Sequence, residues 1–147
     1  MDMNGEFVIA ADRQAVWNAL NDPYTLKACL PGCEVLDKVS DTQFTATMRA
    51  AVGPVKAKFT SNLTLEDLDP PYSYTISGQG KGGSAGFAKG AAKVRLEPCD
   101  EGTQLIYEVN MQVGGKLAQI GSRLIGGTAR KIADQFFSRF AEIMSTS

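Results

Sequence analysis

The sequence has no histidine among its 147 residues, which removes the side chain that most often serves as general base near neutral pH and as metal ligand. That absence weighs against a hydrolase. Cysteine is scarce: Cys29, Cys33 and Cys99 are an odd number in a chain without an export signal, so reduced thiols are expected rather than a disulfide framework. Cys29 and Cys33 flank a helix end with no histidine to complete a tetrahedral set. They read as small buried hydrophobes, and neither a metal nor another cofactor is expected. No apolar run is long enough to cross a bilayer, and Met1-Asp2-Met3-Asn4-Gly5-Glu6 has no signal-peptide pattern, so a cytoplasmic protein is expected. Basic charge is not in excess either. The net charge of -1 argues against nucleic acid as a partner, because phosphate binding needs a basic surface.

What is present is a globular composition, 44% hydrophobic and 21% charged, with no linker-like stretch, and residues 1–147 read as one domain. Asn4 to Ile9 reads as a strand. Asp12 caps a helix over about 13–20 with Val16, Trp17 and Leu20 on one stripe, and Asp22-Pro23 opens a second short helix that ends at Pro31-Gly32. From Glu34 the apolar period becomes two. It is clearest in Val55, Ala57, Phe59, Ser61, Leu63 and Leu65, and it recurs through Phe44 to Ala50, Tyr72 to Ile76, Val94 to Leu96 and Leu105 to Val113. Turn signals lie at Ser40-Asp41, Asp69-Pro70-Pro71 and Asp100-Glu101-Gly102. From Lys116 to about Met144 the spacing is helical again, and the segment is long enough, at roughly 40 Å, to cross a sheet. The order predicts an α+β helix-grip fold: a curved antiparallel sheet of about six to seven strands around a long C-terminal helix, with two short helices after the first strand.

Three features require a choice. Gly78-Gln79-Gly80-Lys81-Gly82-Gly83 matches G-x-G-x-x-G, but a strand and not a helix follows, so no dinucleotide or phosphate site is read there. Residues 78–90 are expected to be a long glycine-rich connection that presents Lys81, Phe87 and Lys89 to a partner or a membrane surface. Asp67, Asp69, Asp100 and Glu101 fall in turns and Glu108 on the wet face, so no facing acid pair exists for catalysis. In the closing helix Gly121, Gly126 and Gly127 each cost roughly 0.8 to 1.0 kcal/mol relative to alanine. Two readings stay open: a break or kink near Gly126-Gly127, or room for a ligand or a close strand.

The strings Leu30-Pro31-Gly32-Cys33-Glu34, Gly82-Gly83-Ser84-Ala85-Gly86-Phe87-Ala88-Lys89-Gly90-Ala91-Ala92 and Ala133-Asp134-Gln135-Phe136-Phe137, with Gly5-Glu6-Phe7 and Val16-Trp17, resemble the carbon monoxide dehydrogenase G-subunit family of the START-like (SRPBCC, polyketide cyclase/lipid transport) superfamily. The resemblance spans nearly the whole chain. It implies a non-catalytic accessory protein of a molybdenum hydroxylase, which helps attach the dehydrogenase to the cytoplasmic membrane or shuttles a quinone or other lipid-like molecule in its cavity. No catalytic residues carry over. Many relatives end in a hydrophobic tail, whereas this sequence ends Ser145-Thr146-Ser147, so a tail anchor is not expected. The dry sheet face and closing helix propose Phe59, Leu63, Tyr74, Tyr107, Met111, Leu117, Ile120 and Leu124 as the cavity lining for such an apolar ligand. An adaptor or maturation factor docking without a ligand is the alternative. A cyclase or dehydratase is third, disfavoured by the missing histidine and acid pair.

Overall fold

The computed structural model describes residues 2–145; Met1 and the Thr146-Ser147 end lie outside the described residues. β1 (Asp2–Ile9) is followed by α1 (Arg13–Leu20) and α2 (Pro23–Cys29). Then come β2 (Cys33–Ser40), β3 (Gln43–Val52), β4 (Val55–Asp69), β5 (Ser73–Lys81), β6 (Phe87–Cys99) and β7 (Gly102–Gly114), and last α3 (Lys116–Ile120) and α4 (Ser122–Ser145). All seven strands form one antiparallel sheet in the order β1-β7-β6-β5-β4-β3-β2. Strands β2 to β7 are therefore a meander, and only β1 pairs out of sequence, with β7. This is the α+β helix-grip fold, with α4 packed against β1, α2 and β3 across the curved sheet.

Local chemistry sets the first elements. The Asp12 carboxylate accepts the Ala15 N–H at 2.7 Å and starts α1. Asp22 accepts the Tyr24 N–H at 3.2 Å, and Pro23 occupies the first turn of α2, where its missing N–H costs nothing. Gly32, at φ +75°, then turns the chain into β2, and its carbonyl accepts the Arg49 N–H at 2.9 Å.

Two expectations need correction. Residues 78–90 are not a long connection: β5 continues to Lys81, β6 begins at Phe87, and only residues 82–86 turn, around the 3-10 segment Gly83–Ala85. The ladder needs backbone groups alone, and it pairs Gly78 with Gly90 and Gly80 with Ala88. The closing helix breaks at Gly121, whose φ of +104° a side chain tolerates poorly, while Gly126 and Gly127 lie inside the uninterrupted α4. A break at Gly126-Gly127 is thereby excluded, and the interruption of the closing segment lies at Gly121 instead.

The core is gathered at one end of the sheet. Ile9, Val16, Phe44, Leu96, Leu105 and Phe140 are fully buried there. Thr103, the one buried polar residue among the described residues, donates its hydroxyl to the Ala11 carbonyl at 2.8 Å and ties β7 to the β1–α1 junction. The last turns of α4 supply Phe136, Phe140 and Met144 to this end; its first turns lie over the other.

Candidate functional site

That other end is hollow. A cavity of about 370 Å³ lies between the inner faces of β3–β7 and the segment α3–α4. Its origin is legible in the pairing register. Gly78 and Gly80 on β5 sit opposite Gly90 and Ala88 on β6, so the middle of the sheet presents backbone and methyl groups where bulky side chains would fill the space. Leu63 and Phe59 of β4 lean over this strip: a Cβ at Gly78 would stand 2.5 Å from Leu63 Cδ2, and one at Gly82 would stand 2.6 Å from Phe59 Cε1. Met111 and Val113 of β7 close the far side, and Ile125, Thr128 and Ile132 of α4 form the roof. Among the described residues the lining contains no carboxylate, thiol or phenol, and Lys89 is its single ionisable residue. Such a wall can desolvate an apolar molecule and offers it little hydrogen bonding.

Of the eight lining candidates, the structure brings Phe59, Leu63, Met111 and Leu117 together in the cavity wall. The other four lie elsewhere. Tyr74 belongs to the closed end, where its ring meets Trp17 edge-on at 5.3 Å and burial pushes its phenol up. Tyr107 stacks on Phe137 at 5.2 Å, and its oxygen accepts from Arg130 Nη1 at 3.0 Å. Burial raises this phenol as well, against the opposing pull of the guanidinium. Both tyrosines face inward, but α1 and the end of α4 cover their half of the sheet. Ile120 and Leu124 flank the Gly121 break: a Cβ at Gly53, on the β3–β4 turn, would touch Leu124 Cδ1 at 3.5 Å and Ile120 Cγ2 at 3.6 Å. They stand at the edge of the cavity, and Leu124 is 51% exposed.

The partner candidates converge at this same end. Lys81 pairs across the β5–β6 ladder with Phe87, which is 36% exposed and lies against Gly114, and Lys89 stands two residues further along β6. The wall residues absent from the candidate set include aliphatic ones, among them Met48, Ile76, Val109, Ile125 and Ile132, and the small residues Gly78, Gly80, Ala88, Gly90 and Ala92. The signal of the small ones is the period-two spacing of residues without bulk.

Charge divides between the two ends. Residues 43–65, 70–96 and 109–133 contain no aspartate or glutamate. At the closed end acids lie in or beside every strand-to-strand turn: Asp41, then Asp67 and Asp69, which end β4 rather than falling in the turn after it, then Asp100 and Glu101. At the open end Lys56, Lys81, Lys89, Lys116 and Arg123 are exposed, and among the described residues none has a carboxylate within ion-pair distance. Elsewhere Glu34 bridges Arg49 and Lys58 at 3.0 and 3.3 Å, and the Arg49 guanidinium holds its carboxyl below the usual range. Cys29 and Cys33 both have thiols pushed up by burial, and Cys33 donates to the Val35 carbonyl. Among the described residues no group of three metal-ligating side chains converges, and no helix is long and apolar enough to cross a membrane.

Residues 5–145 match the family described as the carbon monoxide dehydrogenase G-subunit, CoxG. The crystal structure of a conserved protein from Geobacillus kaustophilus is 31% identical over 100% of this chain and 97% of its own, with a TM-score of 0.93. A Thermus thermophilus protein superposes at 0.76 with 15% identity, covering 99% of this chain and 98% of its own. The Zhui aromatase/cyclase from Streptomyces sp. R1128 superposes at 0.71 with 12% identity, covering 99% and 93%. The last two likenesses concern the fold alone. None of the curated proteins matches the chain.

Proposed function

Because the chain belongs to the CoxG family of carbon monoxide dehydrogenase subunits, we propose that it is a non-catalytic accessory protein of a molybdenum hydroxylase of that type, and that its cavity carries an apolar, quinone- or lipid-like molecule. The observation that supports the carrier reading is the 370 Å³ space itself, within the size range of small-molecule pockets and walled almost wholly by aliphatic groups. Acid/base chemistry in the larger cavity would need ionisable groups facing it, and the described lining there offers Lys89 alone, on a residue whose strand alternation directs its side chain to the outer face. Native mass spectrometry and solvent extraction of the purified protein test the reading. Co-purification of an apolar molecule supports it; a protein that is empty and also fails to take up decylubiquinone overturns it.

The charge map supports a second element of the function, an open end that faces the anionic surface of the cytoplasmic membrane. Exposed Leu124 and Phe87 lie at the end whose cations have no ion-pair partner among the described residues, an arrangement that suits acidic lipid headgroups over apolar chains. Sedimentation with phosphatidylglycerol-containing vesicles at low salt, lost in the Lys81→Glu/Lys116→Glu variant, is the expected result. Capture of the dehydrogenase that is unaffected by vesicles but abolished by Phe87→Ala would favour an adaptor surface instead.

A further inference from the structure

A second, smaller hollow adjoins the cavity. This crevice of about 160 Å³ opens between β1, β7 and α4, and it shares Val109, Met111 and Ala129 with the larger cavity as a common wall. The two hollows differ in chemistry. The crevice adds Asp2 and Arg130, one carboxylate and one guanidinium, together with Gly126 of α4, where the lack of a side chain widens the gap between helix and sheet. Arg130 uses Nη1 to donate to the Tyr107 oxygen, and a guanidinium has four further N–H donors. The Asp2 carboxylate already accepts from Asn110 Nδ2 at 2.7 Å.

We propose that the crevice is a head-group subsite: Arg130 donates to an acceptor oxygen on an uncharged, ring-sized polar head, while the apolar chain attached to that head lies in the larger cavity, past Met111. Three observations support it. The crevice is near the roughly 150 Å³ that holds one benzene ring in a protein interior. Among the described residues its two charges are of opposite sign and offset each other toward a phosphate or a fatty carboxylate, whereas a neutral acceptor gains a charge-assisted hydrogen bond. And the hollows share Val109, Met111 and Ala129 as a common wall, so the two ends of one amphiphile can lie on either side of it. The proposal rests on the carrier reading and adds to it the place and chemistry of the ligand's polar end.

The test is equilibrium dialysis of the full chain with three probes of equal chain length: decylubiquinone, decylbenzene and decyl phosphate. Decylbenzene has a ring of the same size but no acceptor oxygen, so it reports apolar packing in the two hollows without the hydrogen bond. Decylubiquinone is expected to bind about tenfold tighter than decylbenzene, the factor carried by one hydrogen bond to a charged donor. Arg130→Met should remove that preference while leaving decylbenzene affinity unchanged, and Gly126→Leu, which fills the crevice, should remove it while weakening decylbenzene as well; thermal melts of both variants establish that they fold. If decylbenzene binds but the preference survives both substitutions, or if decyl phosphate binds tightest, the head-group subsite is wrong and the carrier reading stands. If no probe binds, both fall.

Discussion

Filling the cavity should make this protein more stable and less functional at once, and Ala92→Leu is the substitution that shows it. Ala92 lies on β6 opposite Ile76 of β5 and Val109 of β7, and all three line the cavity. Leucine adds three carbons directed into a space of 370 Å³, so the overpacking that penalises larger residues in a filled core does not arise. At about 0.8 kcal/mol per buried methylene, the gain in the empty protein is about 2 kcal/mol. For a chain of this size that is a rise of about 4–8 °C in Tm. Uptake of decylbenzene should fall at least tenfold in the same variant, because the ligand must now compete with the leucine for the wall. Differential scanning calorimetry of delipidated protein reads the first effect and equilibrium dialysis the second. A destabilised variant would mean that the hollow is not available room; a stabilised variant with unchanged uptake would mean that ligand binds elsewhere.

The two glycines of the closing segment should respond with opposite signs: neither Gly121 nor Gly127 has an atom within 4 Å of a built Cβ, so backbone conformation alone decides. Gly121→Ala, at φ +104°, should cost about 1–3 kcal/mol, and Gly127→Ala, within α4, should gain about 1 kcal/mol in urea unfolding; like signs would refute the assigned break. Phe140→Ala, at a fully buried position of the closed end, should cost about 3–5 kcal/mol by the same measurement while leaving the decylbenzene affinity of the folded fraction intact. Burial raises the Tyr74 phenol, so folded and unfolded chains are both neutral below about pH 10 and stability is independent of this group there. Above that pH the unfolded chain ionises first and the folded state loses stability as pH rises; the urea midpoint should drop less steeply for Tyr74→Phe than for the wild type, and parallel drops would exclude the group.

Legibility in the sequence followed the range of the interactions. Helix caps at Asp12 and Asp22, and the alternation from Val55 to Leu65, are local, and each element starts or runs where those residues place it. Pairing of β1 with β7 joins residues about a hundred positions apart, and nothing in either strand announces it. Tyr74 and Tyr107 show the same limit within the site. Their inward direction follows from alternation, but whether an inward residue meets a cavity or a core depends on what covers that half of the sheet, here α1 with Trp17 and α4 with Phe137. Residues 78–90 misled because glycine signals both a turn and a missing side chain; only the register, with Gly78 against Gly90, shows that the second meaning applies. Ile120 and Leu124 fell away from the wall because the break at Gly121 changes the helical phase that their spacing assumed.

A hollow this size is a standing cost, since wall atoms that face it forgo the contacts a filled core would give them. The fold answers by division. Phe7, Tyr107 and Phe137 stack at one edge of the closed end, Phe136 and Phe140 stack beneath the last turns of α4, and Trp17 meets Tyr74 under α1, so large rings concentrate away from the larger cavity. The same helix serves both halves: its C-terminal turns carry aromatic residues into the core, and its N-terminal turns carry Gly126, Thr128 and Ala129 over the hollows. It follows that stability and uptake should separate along α4 at inward-facing positions, with core substitutions after about residue 135 moving the melting temperature and wall substitutions before about residue 133 moving ligand affinity. A scan of alanine and leucine substitutions along the helix, read by both assays, would reject this division if the two effects tracked each other from end to end.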